Sequence, residues 1–214
     1  MLADVDLFRT LPPDAFELVA AAASLRSLRR GDVLFAEGED ADALYVVERG
    51  RIAIANRSPD GRESVVALME RGDLFGEMSL FDGQGRSAEA RALEPSRVHE
   101  VPFAPLRDVL QRRPELLWGV VGLLARRLRT MDATLADAVF LDVTGRTAKR
   151  LLELAGDADE FVLPITQEEL AGLVGASRER VNKAISSFIR LGWIDQRERR
   201  YRIVKRDQLA LRAR

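Results

Sequence analysis

A run of apolar residues that repeats every three or four positions after Pro114 constrains this chain more than any other feature. Spacings of four, three, four and three form a heptad repeat, which keeps one narrow apolar stripe along a helix of about six turns. A helix buried in its own domain shows a wider stripe, so the pattern predicts pairing with a second copy in a homodimer. The alternative is that the stripe packs against this chain's own β-domain. We call the stripe the seam and expect the dimer interface at Leu117, Val121, Leu124, Leu128, Met131, Leu135 and Ala138.

Short apolar runs, separated by glycine and turn residues, fill the sequence between Asp32 and Phe103. Many short strands at this spacing favour an antiparallel barrel or jelly roll over an α/β sheet. A helix over Pro13–Ser24 precedes them, and Pro59-Asp60-Gly61 predicts a tight turn between two strands. The strands expected are Val33–Phe35, Ala43–Val47, Ile52–Ile54, Ser64–Leu68 and Arg97–Val101.

The sequence after Thr144 has a third pattern, with a short amphipathic helix expected over Gly145–Ala155. Thr166 and Glu169 form a capping box that opens a helix, and Gly175 marks a tight turn after it. Ser177 caps a second helix that Gly192 ends, and a small hairpin through Ile194 and Tyr201–Val204 follows. This order predicts a winged helix-turn-helix. Its second helix is expected to bury Val181, Ala184, Ile185, Phe188 and Ile189.

Charge is distributed unevenly along the chain. Residues 143–214 hold 15 basic and 10 acidic residues, whereas the whole chain has a net charge of −1. The basic end predicts an anionic partner, and the first residues of the second helix are placed to contact DNA base edges in the major groove. Arginine can pair with guanine, and glutamate can accept a hydrogen bond from cytosine. The alternative is that the winged helix binds a protein instead of DNA. The expected DNA contacts are Thr166, Gln167, Ser177, Arg178, Glu179, Lys183 and Arg199.

Composition excludes several classes of protein. Cysteine is absent and His99 is the only histidine, which argues against disulfides, metal centres, iron–sulfur clusters, haem and most Cys- or His-dependent catalysis. His99 itself is expected to be structural or exposed. No apolar run reaches the ~20 residues of a membrane helix, and Met1–Arg9 lacks a basic signal-peptide start. We therefore expect a cytoplasmic protein that is not an enzyme.

The segment Gly72–Ala88 combines glycines with groups that suit a nucleotide. The Glu77 carboxylate can accept a hydrogen bond from a ribose hydroxyl, and Arg86 with Ser87 can hold a phosphate. One anion site and one hydroxyl acceptor, nine residues apart, fit a cyclic nucleotide. The same Gly-Glu and Arg-Ser pairs also occur in ordinary turns, which is the alternative.

Across nearly its whole length, the chain resembles the cyclic AMP receptor protein branch of the family that also contains the fumarate-nitrate regulators. The resemblance implies an α+β protein with an antiparallel β jelly roll that binds cyclic nucleotide (1–114), a dimerisation helix with its hinge (115–143) and a winged helix-turn-helix (144–214). The matching segments are Gly76–Phe81, Arg86–Ala88, Ala125–Leu128, Phe140–Arg146, Ile165–Ala171 and Val174–Glu179.

The resemblance also implies roles for individual residues. Glu77 would hold the ribose hydroxyl and Arg127 would support it, while Arg86 and Ser87 would hold the cyclic phosphate of cyclic AMP. Double-stranded operator DNA with TGTGA-like half-sites, contacted by Arg178, Glu179 and Lys183, and RNA polymerase would be the partners. Asp142–Gly145 would be the hinge. The implied ligand residues are Gly76, Glu77, Met78, Arg86, Ser87, Ala88, Arg127, Thr130, Met131 and Asp132.

Two departures from the family affect different partners: the first leaves the ligand open, and the second concerns a DNA contact. Met131 and Asp132 stand where relatives that bind cyclic AMP place Thr and Ser or Asn, and Lys183 replaces the commoner Arg, which loses the bidentate fork. A regulator of the same architecture that needs no ligand, or binds another such as a cyclic dinucleotide, is one alternative. A protein-interaction module is another. A cyclic-nucleotide-dependent enzyme subunit would need a catalytic domain, for which the chain has no room.

Overall fold

A computed structural model of the protein describes residues 1–57 and 63–214, so the turn expected at Pro59-Asp60-Gly61 lies outside the described residues. The chain forms two compact units, Met1–Arg129 and Thr130–Arg214. Within the described ranges, no helix is both long and apolar enough to cross a membrane.

Two four-stranded antiparallel sheets build the first unit, with strand orders β1-β8-β3-β6 and β2-β7-β4-β5. This confirms the antiparallel β-domain expected from the short apolar runs. Three strands were not predicted, because β1 (SLRSL) is mostly exposed, β7 (EARA) carries charges at alternate positions and β6 has two residues. The strands are β1 Ser24–Leu28, β2 Val33–Phe35, β3 Ala43–Arg49, β4 Ile52–Arg57, β5 Glu63–Met69, β6 Leu74–Phe75, β7 Glu89–Ala92 and β8 Ser96–Pro102.

Strand β3 is buried on both faces because the sheet that contains it lies between two apolar clusters. Tyr45 and Val47 pack with residues of the other sheet, whereas Leu44 and Val46 pack with the helices. Alternate side chains of a strand point to opposite faces, so an apolar run without alternation indicates this double burial. The helices of this unit are α1 Asp6–Arg9, α2 Pro13–Ala22, α3 Met78–Asp82 and α4 Phe103–Arg112. Ser24 was expected to end the second of these but instead begins β1.

Helix α5, Leu117–Phe140, begins in the first unit and ends in the second. Val120 is buried at 3% exposure in the core of the first unit, and Leu116 and Leu123 pack against that core. The seam faces elsewhere: Leu128, for example, is 59% exposed. All seven seam residues are exposed. Within the first unit, Leu117, Val121, Leu124 and Leu128 do not pack on the β-domain, which contradicts that alternative for this half of the seam.

The second unit is a winged helix-turn-helix, as predicted. The capping box begins helix α7, Gln167–Val174. The Thr166 hydroxyl accepts from the Glu169 amide, and the Glu169 carboxylate accepts from the Thr166 amide. Gly175 follows in the left-handed region at φ 67°, where glycine is favoured. The elements are α6 Val143–Ala155, β9 Glu160–Val162, α7 Gln167–Val174, α8 Arg178–Arg190, β10 Ile194–Arg197, β11 Arg200–Ile203 and α9 Arg206–Arg212, and the sheet order is β10-β11-β9.

Two expectations for this unit were wrong in detail, and one strand was not expected. Helix α6 begins at Val143 rather than Gly145 because Asp142 caps it and accepts from the Gly145 amide at 2.8 Å. Three of the four residues of the expected hinge Asp142–Gly145 therefore lie in α6, and only Leu141 and Asp142 separate α5 from α6. The hinge itself stays a prediction. Ile189 is 40% exposed rather than buried, because it lies at the edge of the buried face near the end of α8. Strand β9 was not predicted.

Candidate nucleotide site and DNA-contacting surface

Glu77 lies at the turn between β6 and α3 and is completely buried. Its Oε1 accepts a hydrogen bond from Arg127 of α5, which also donates to the Leu74 carbonyl. Its Oε2 is buried and has no hydrogen-bond partner. A buried carboxylate oxygen without a donor is energetically costly, so this atom is a natural acceptor for a ligand hydroxyl.

Arg86 is the buried cation beside this carboxylate, with 4% exposure. Its guanidinium donates to the Gly76 and Ala43 carbonyls, both at 2.8 Å, and lies 4.2 Å above the Phe35 ring. Its Nε has no hydrogen-bond partner. Burial lowers the pKa of Arg86, and Tyr45 is the largest of the neighbours that raise it again. In the described part of the chain, this guanidinium is hydrogen-bonded to neutral carbonyls and makes no ion pair.

Gly76 precedes Glu77 in the chain and accepts a hydrogen bond from Arg86 through its carbonyl. A larger residue at this position would force the Arg86 side chain to move. The φ of Gly76 is +76°, in the region that favours glycine. A Cβ on Gly76 would lie 2.8 Å from Nη1 of Arg86. The glycine therefore lets the Arg86 guanidinium approach the backbone next to Glu77.

The remaining predicted ligand residues divide into two groups. Near the turn, Ser87 is exposed and donates to the Met78 sulfur at 3.6 Å, while Ala88 is buried. On α5, Thr130, Met131 and Asp132 are exposed, and they belong to the second unit. The contacts of the first unit thus bring together Gly76, Glu77, Arg86 and Arg127.

This arrangement offers a buried cation with an unpartnered N–H and a buried anion with an unpartnered oxygen. Such a pair suits a ligand with an anionic group and a hydroxyl donor.

The sequence analysis did not identify Phe35 and Tyr45 as site residues, although their ring centroids lie 4.2 and 5.4 Å from the Arg86 guanidinium carbon. The only indication in the sequence was that both are aromatic residues on short predicted strands. Their position next to Arg86 depends on how the two sheets pack.

Helix α8 presents its N-terminal end to solvent. The Ser177 hydroxyl caps the helix by accepting from the Arg180 amide, and Val181 and Ile185 are buried beneath it. Exposed charged side chains cover this end, which suits the phosphates and base edges of DNA. They are Arg178, Glu179, Arg180 and Lys183, of which Arg180 was not among the predicted contacts.

Three predicted DNA contacts also hold the unit together. The Thr166 hydroxyl caps α7, and the Gln167 Nε2 donates to the Tyr201 hydroxyl at 2.6 Å. Arg199, in the wing, donates to the Leu163 carbonyl at 3.0 Å. The Gln167 Oε1 is buried without a hydrogen-bond partner. The structure therefore gives these residues an internal role that the sequence patterns did not predict, except for the Thr166 cap.

The described ranges, 1–57 and 63–214, hold no candidate metal centre. No cluster there of three or more Asp, Glu or His side chains has a geometry that could hold a metal ion. His99 is 22% exposed and lies 3.9 Å from a Glu48 oxygen on the neighbouring strand.

Comparisons with known proteins agree with both halves of this geometry. Residues 25–113 match the cyclic nucleotide-binding domain family, and residues 145–212 match the Crp-like helix-turn-helix domain family. The chain is 39% identical over 221 residues to a CRP-like cAMP-activated global transcriptional regulator of Mycobacterium tuberculosis, covering 100% of this chain and 99% of that protein. It is 35% identical over 159 residues to the cAMP-activated global transcriptional regulator CRP of Salmonella typhimurium, covering 71% and 76%.

Solved structures show the same architecture. The c-di-GMP responsive global regulator CLP of Xanthomonas campestris superposes with a TM-score of 0.78 and 25% identity, covering 90% of this chain and 99% of that one. That regulator and the two cAMP-activated relatives have different ligands by their names, so the similarities leave the ligand of this chain to be argued from its own residues.

Proposed function

Because this chain belongs to the Crp/Fnr family of transcription regulators, we propose that it is a homodimer that binds cyclic AMP and, in response, a palindromic operator. Membership of the family gives the general function: the protein is a ligand-responsive, DNA-binding regulator with a cyclic nucleotide-binding domain. The functional division we propose is 1–114 for ligand binding, 115–143 for dimerisation and 144–214 for DNA binding.

One observation carries the ligand proposal: Glu77 and Arg86 are both buried, and each keeps one polar atom without a partner. A cyclic nucleotide supplies what both lack. Its 2′-hydroxyl donates to the Glu77 Oε2, and its cyclic phosphate accepts from the Arg86 guanidinium. Arg127 orients the Glu77 side chain through its ion pair with Oε1. The ligand residues we propose are Gly76, Glu77, Met78, Arg86, Ser87, Ala88, Arg127, Thr130, Met131 and Asp132.

The purine is proposed to lie against α5. Thr130 and Met131 follow Arg127 by three and four residues, which places them on the same face of the helix one turn further on. Met131 packs on a purine face, and the Asp132 carboxylate accepts from an exocyclic amine. Met131 is also a seam residue, so ligand binding and dimerisation meet at one position.

The dimer proposal is supported by the exposed seam. Leu124, Leu128 and Leu135 are each more than a third exposed in a single chain. A contiguous apolar stripe of this length marks a protein interface, and heptad spacing suits a parallel helix pair. The proposed interface is Leu117, Val121, Leu124, Leu128, Met131, Leu135 and Ala138.

Two copies of α8 are proposed to enter successive major grooves about 34 Å apart. Arg178 and Glu179 contact guanine and cytosine in TGTGA-like half-sites, and Lys183 supplies a further contact. Thr166, Gln167, Ser177 and Arg199 face phosphates. RNA polymerase is proposed as the protein partner because the family regulates transcription.

Titration calorimetry on the purified protein tests the ligand. Cyclic AMP should bind saturably and cyclic GMP more weakly, and Arg86→Ala should abolish the heat. Arg97→Ala is the matched control, since Arg97 is an exposed arginine of the same unit that pairs with Glu48.

Operator binding by fluorescence anisotropy, with and without cyclic AMP at several salt concentrations, tests the proposed DNA binding and its dependence on ligand. Binding that is equally tight without ligand contradicts the switch, and binding that ignores salt contradicts DNA as the partner.

A cyclic dinucleotide is the second candidate ligand. It is favoured by the similarity to the c-di-GMP responsive regulator and by Met131 and Asp132, which depart from the adenine-binding pattern. This ligand carries two phosphates and would need a second cation besides Arg86. Heat with cyclic di-GMP, and none with cyclic AMP, in the same calorimeter would select it.

A further inference from the structure

The Arg146 side chain, near the start of α6, holds backbone carbonyls at the ends of two other helices. Its Nη1 donates to the Leu141 carbonyl at 2.7 Å and to Ala138 at 3.5 Å, at the C-terminal end of α5. Its Nε donates to the Val174 carbonyl at 2.8 Å and its Nη2 to Gly175 at 3.5 Å, at the C-terminal end of α7. All of these residues lie in the second unit.

Arginine is chemically suited to this place. The last carbonyls of a helix have no partner within the helix and form the negative end of its dipole, so a cation there is stabilising. A guanidinium has five N–H donors in a rigid planar fork and can satisfy acceptors on two sides at once. One side chain therefore caps both helices and fixes the end of α5 relative to the turn after α7.

Two neighbouring ion pairs brace the same region without reaching α7. Lys149 joins α6 to α5 through Asp137 at 2.6 Å. Arg212 of α9 joins the α6 cap, Asp142. Of these three basic side chains, Arg146 is the one that contacts the turn between α7 and α8.

We propose that Arg146 is the positioning residue that transmits a change in α5 to the DNA-contacting helix. This inference rests on the proposed function, because it assumes that ligand binding acts on α5. The turn that Arg146 holds, at Val174 and Gly175, is followed directly by Ser177, the cap of α8. A shift of the α5 end is carried by the guanidinium to this turn, and so to the N-terminal end of α8.

The test compares three variants of the full-length protein: Arg146→Gln, Arg146→Lys and the matched control Lys149→Gln. For each, the operator Kd is measured without and with saturating cyclic AMP. The ratio of the two values is expected to fall by about fivefold or more in Arg146→Gln. Lysine cannot span both helices, so Arg146→Lys should lose most of the ratio as well. Lys149→Gln should keep it, and the cyclic AMP Kd without DNA should stay unchanged in all three.

Hydrogen exchange of the ligand-free proteins gives a second readout that does not depend on the ligand. Arg146→Gln should raise exchange at the end of α5 and in the turn 174–176 together, whereas Lys149→Gln should leave the turn unchanged. An unchanged operator ratio in Arg146→Gln, or a turn that stays protected, overturns the inference. If the wild-type protein shows no cyclic AMP dependence, the proposed function fails, and the exchange experiment alone decides whether Arg146 joins α5 to the turn.

Discussion

Arg127 of α5 pairs with Glu77, which lies fifty residues earlier at the turn between β6 and α3. The same guanidinium donates to the Leu74 carbonyl, so one side chain ties the long helix to both ends of that turn. Glu77 is completely buried, whereas Arg127 is about one third exposed. The pair thus connects the proposed ligand acceptor directly to the helix that carries the seam.

Replacing Arg127 with Met should destabilise the protein by roughly 2 kcal/mol, because the buried Glu77 carboxylate loses its cation. Urea unfolding measures this loss. Arg126→Met is the control, since Arg126 pairs with the half-exposed Asp6 and a surface pair contributes about 0–1 kcal/mol. Adding Glu77→Gln to the Arg127→Met variant should recover part of the loss, and a double variant no more stable than the single one would contradict the explanation.

Gly76→Ala should weaken cyclic AMP binding by about tenfold or more, because the new methyl group displaces the Arg86 guanidinium. Gly83→Ala is a close control: Gly83 also has a positive φ, +67°, but a Cβ there meets no atom within 4 Å. Both variants carry similar backbone strain, so both unfolding midpoints should fall, and that of Gly76→Ala should fall further because the buried guanidinium is also displaced. Calorimetry should then separate them, and equal loss of ligand affinity in the two would show that strain alone is responsible.

Leu128→Asp should convert the proposed dimer to monomer, because it places a charge in the middle of the seam. Sedimentation velocity at micromolar concentration measures the change. Ala133→Asp introduces the same charge on an exposed position of α5 that lies outside the seam, and it should leave the dimer intact. A Leu128→Asp protein that sediments as the wild type does would place the interface elsewhere.

The Asp142 cap should make α6 sensitive to acid. Its hydrogen bond from the Gly145 amide is the main cause that lowers the pKa of Asp142, and Arg212 adds to it. Because the folded pKa lies below the unfolded value of about 3.9, the stabilisation is complete above that value and disappears as pH falls through the folded pKa. Asp142→Ala should cost about 1 kcal/mol near neutral pH.

Thermal unfolding between pH 7 and pH 3 tests this cap. The difference in stability between wild type and Asp142→Ala should shrink as the pH drops below about 4. Asp207→Ala, at the first turn of α9, is the control for removal of an exposed carboxylate. A constant difference across the whole range would mean that the carboxylate charge does not matter.

Much of the architecture was predictable because it depends on local patterns. The capping box at Thr166 and Glu169 satisfies amides within four residues, so the sequence alone locates the start of α7. Heptad spacing likewise located α5. Strand β7 was missed because its pairing with β2 and β4, and not its own composition, makes it a strand.

The candidate site was only partly predictable. The types and spacing of Glu77 and Arg86 identified a carboxylate and a cation suited to a nucleotide. Their burial, the unpartnered atoms and the aromatic rings over Arg86 depend on strands far apart in sequence. The interpretation of Gln167 as a DNA contact did not include its hydrogen bond within the unit, because the Tyr201 hydroxyl lies thirty-four residues after Gln167.

The sequence by itself determined the order of elements, the seam and the charged residues at the start of α8, since each follows from periodicity, capping or local charge. Only the tertiary structure decided that the seam is exposed, that Glu77 and Arg86 are buried and that Arg146 contacts the ends of two helices. Burial and long-range hydrogen bonds depend on which segments meet, and a linear pattern of residue types does not contain that information.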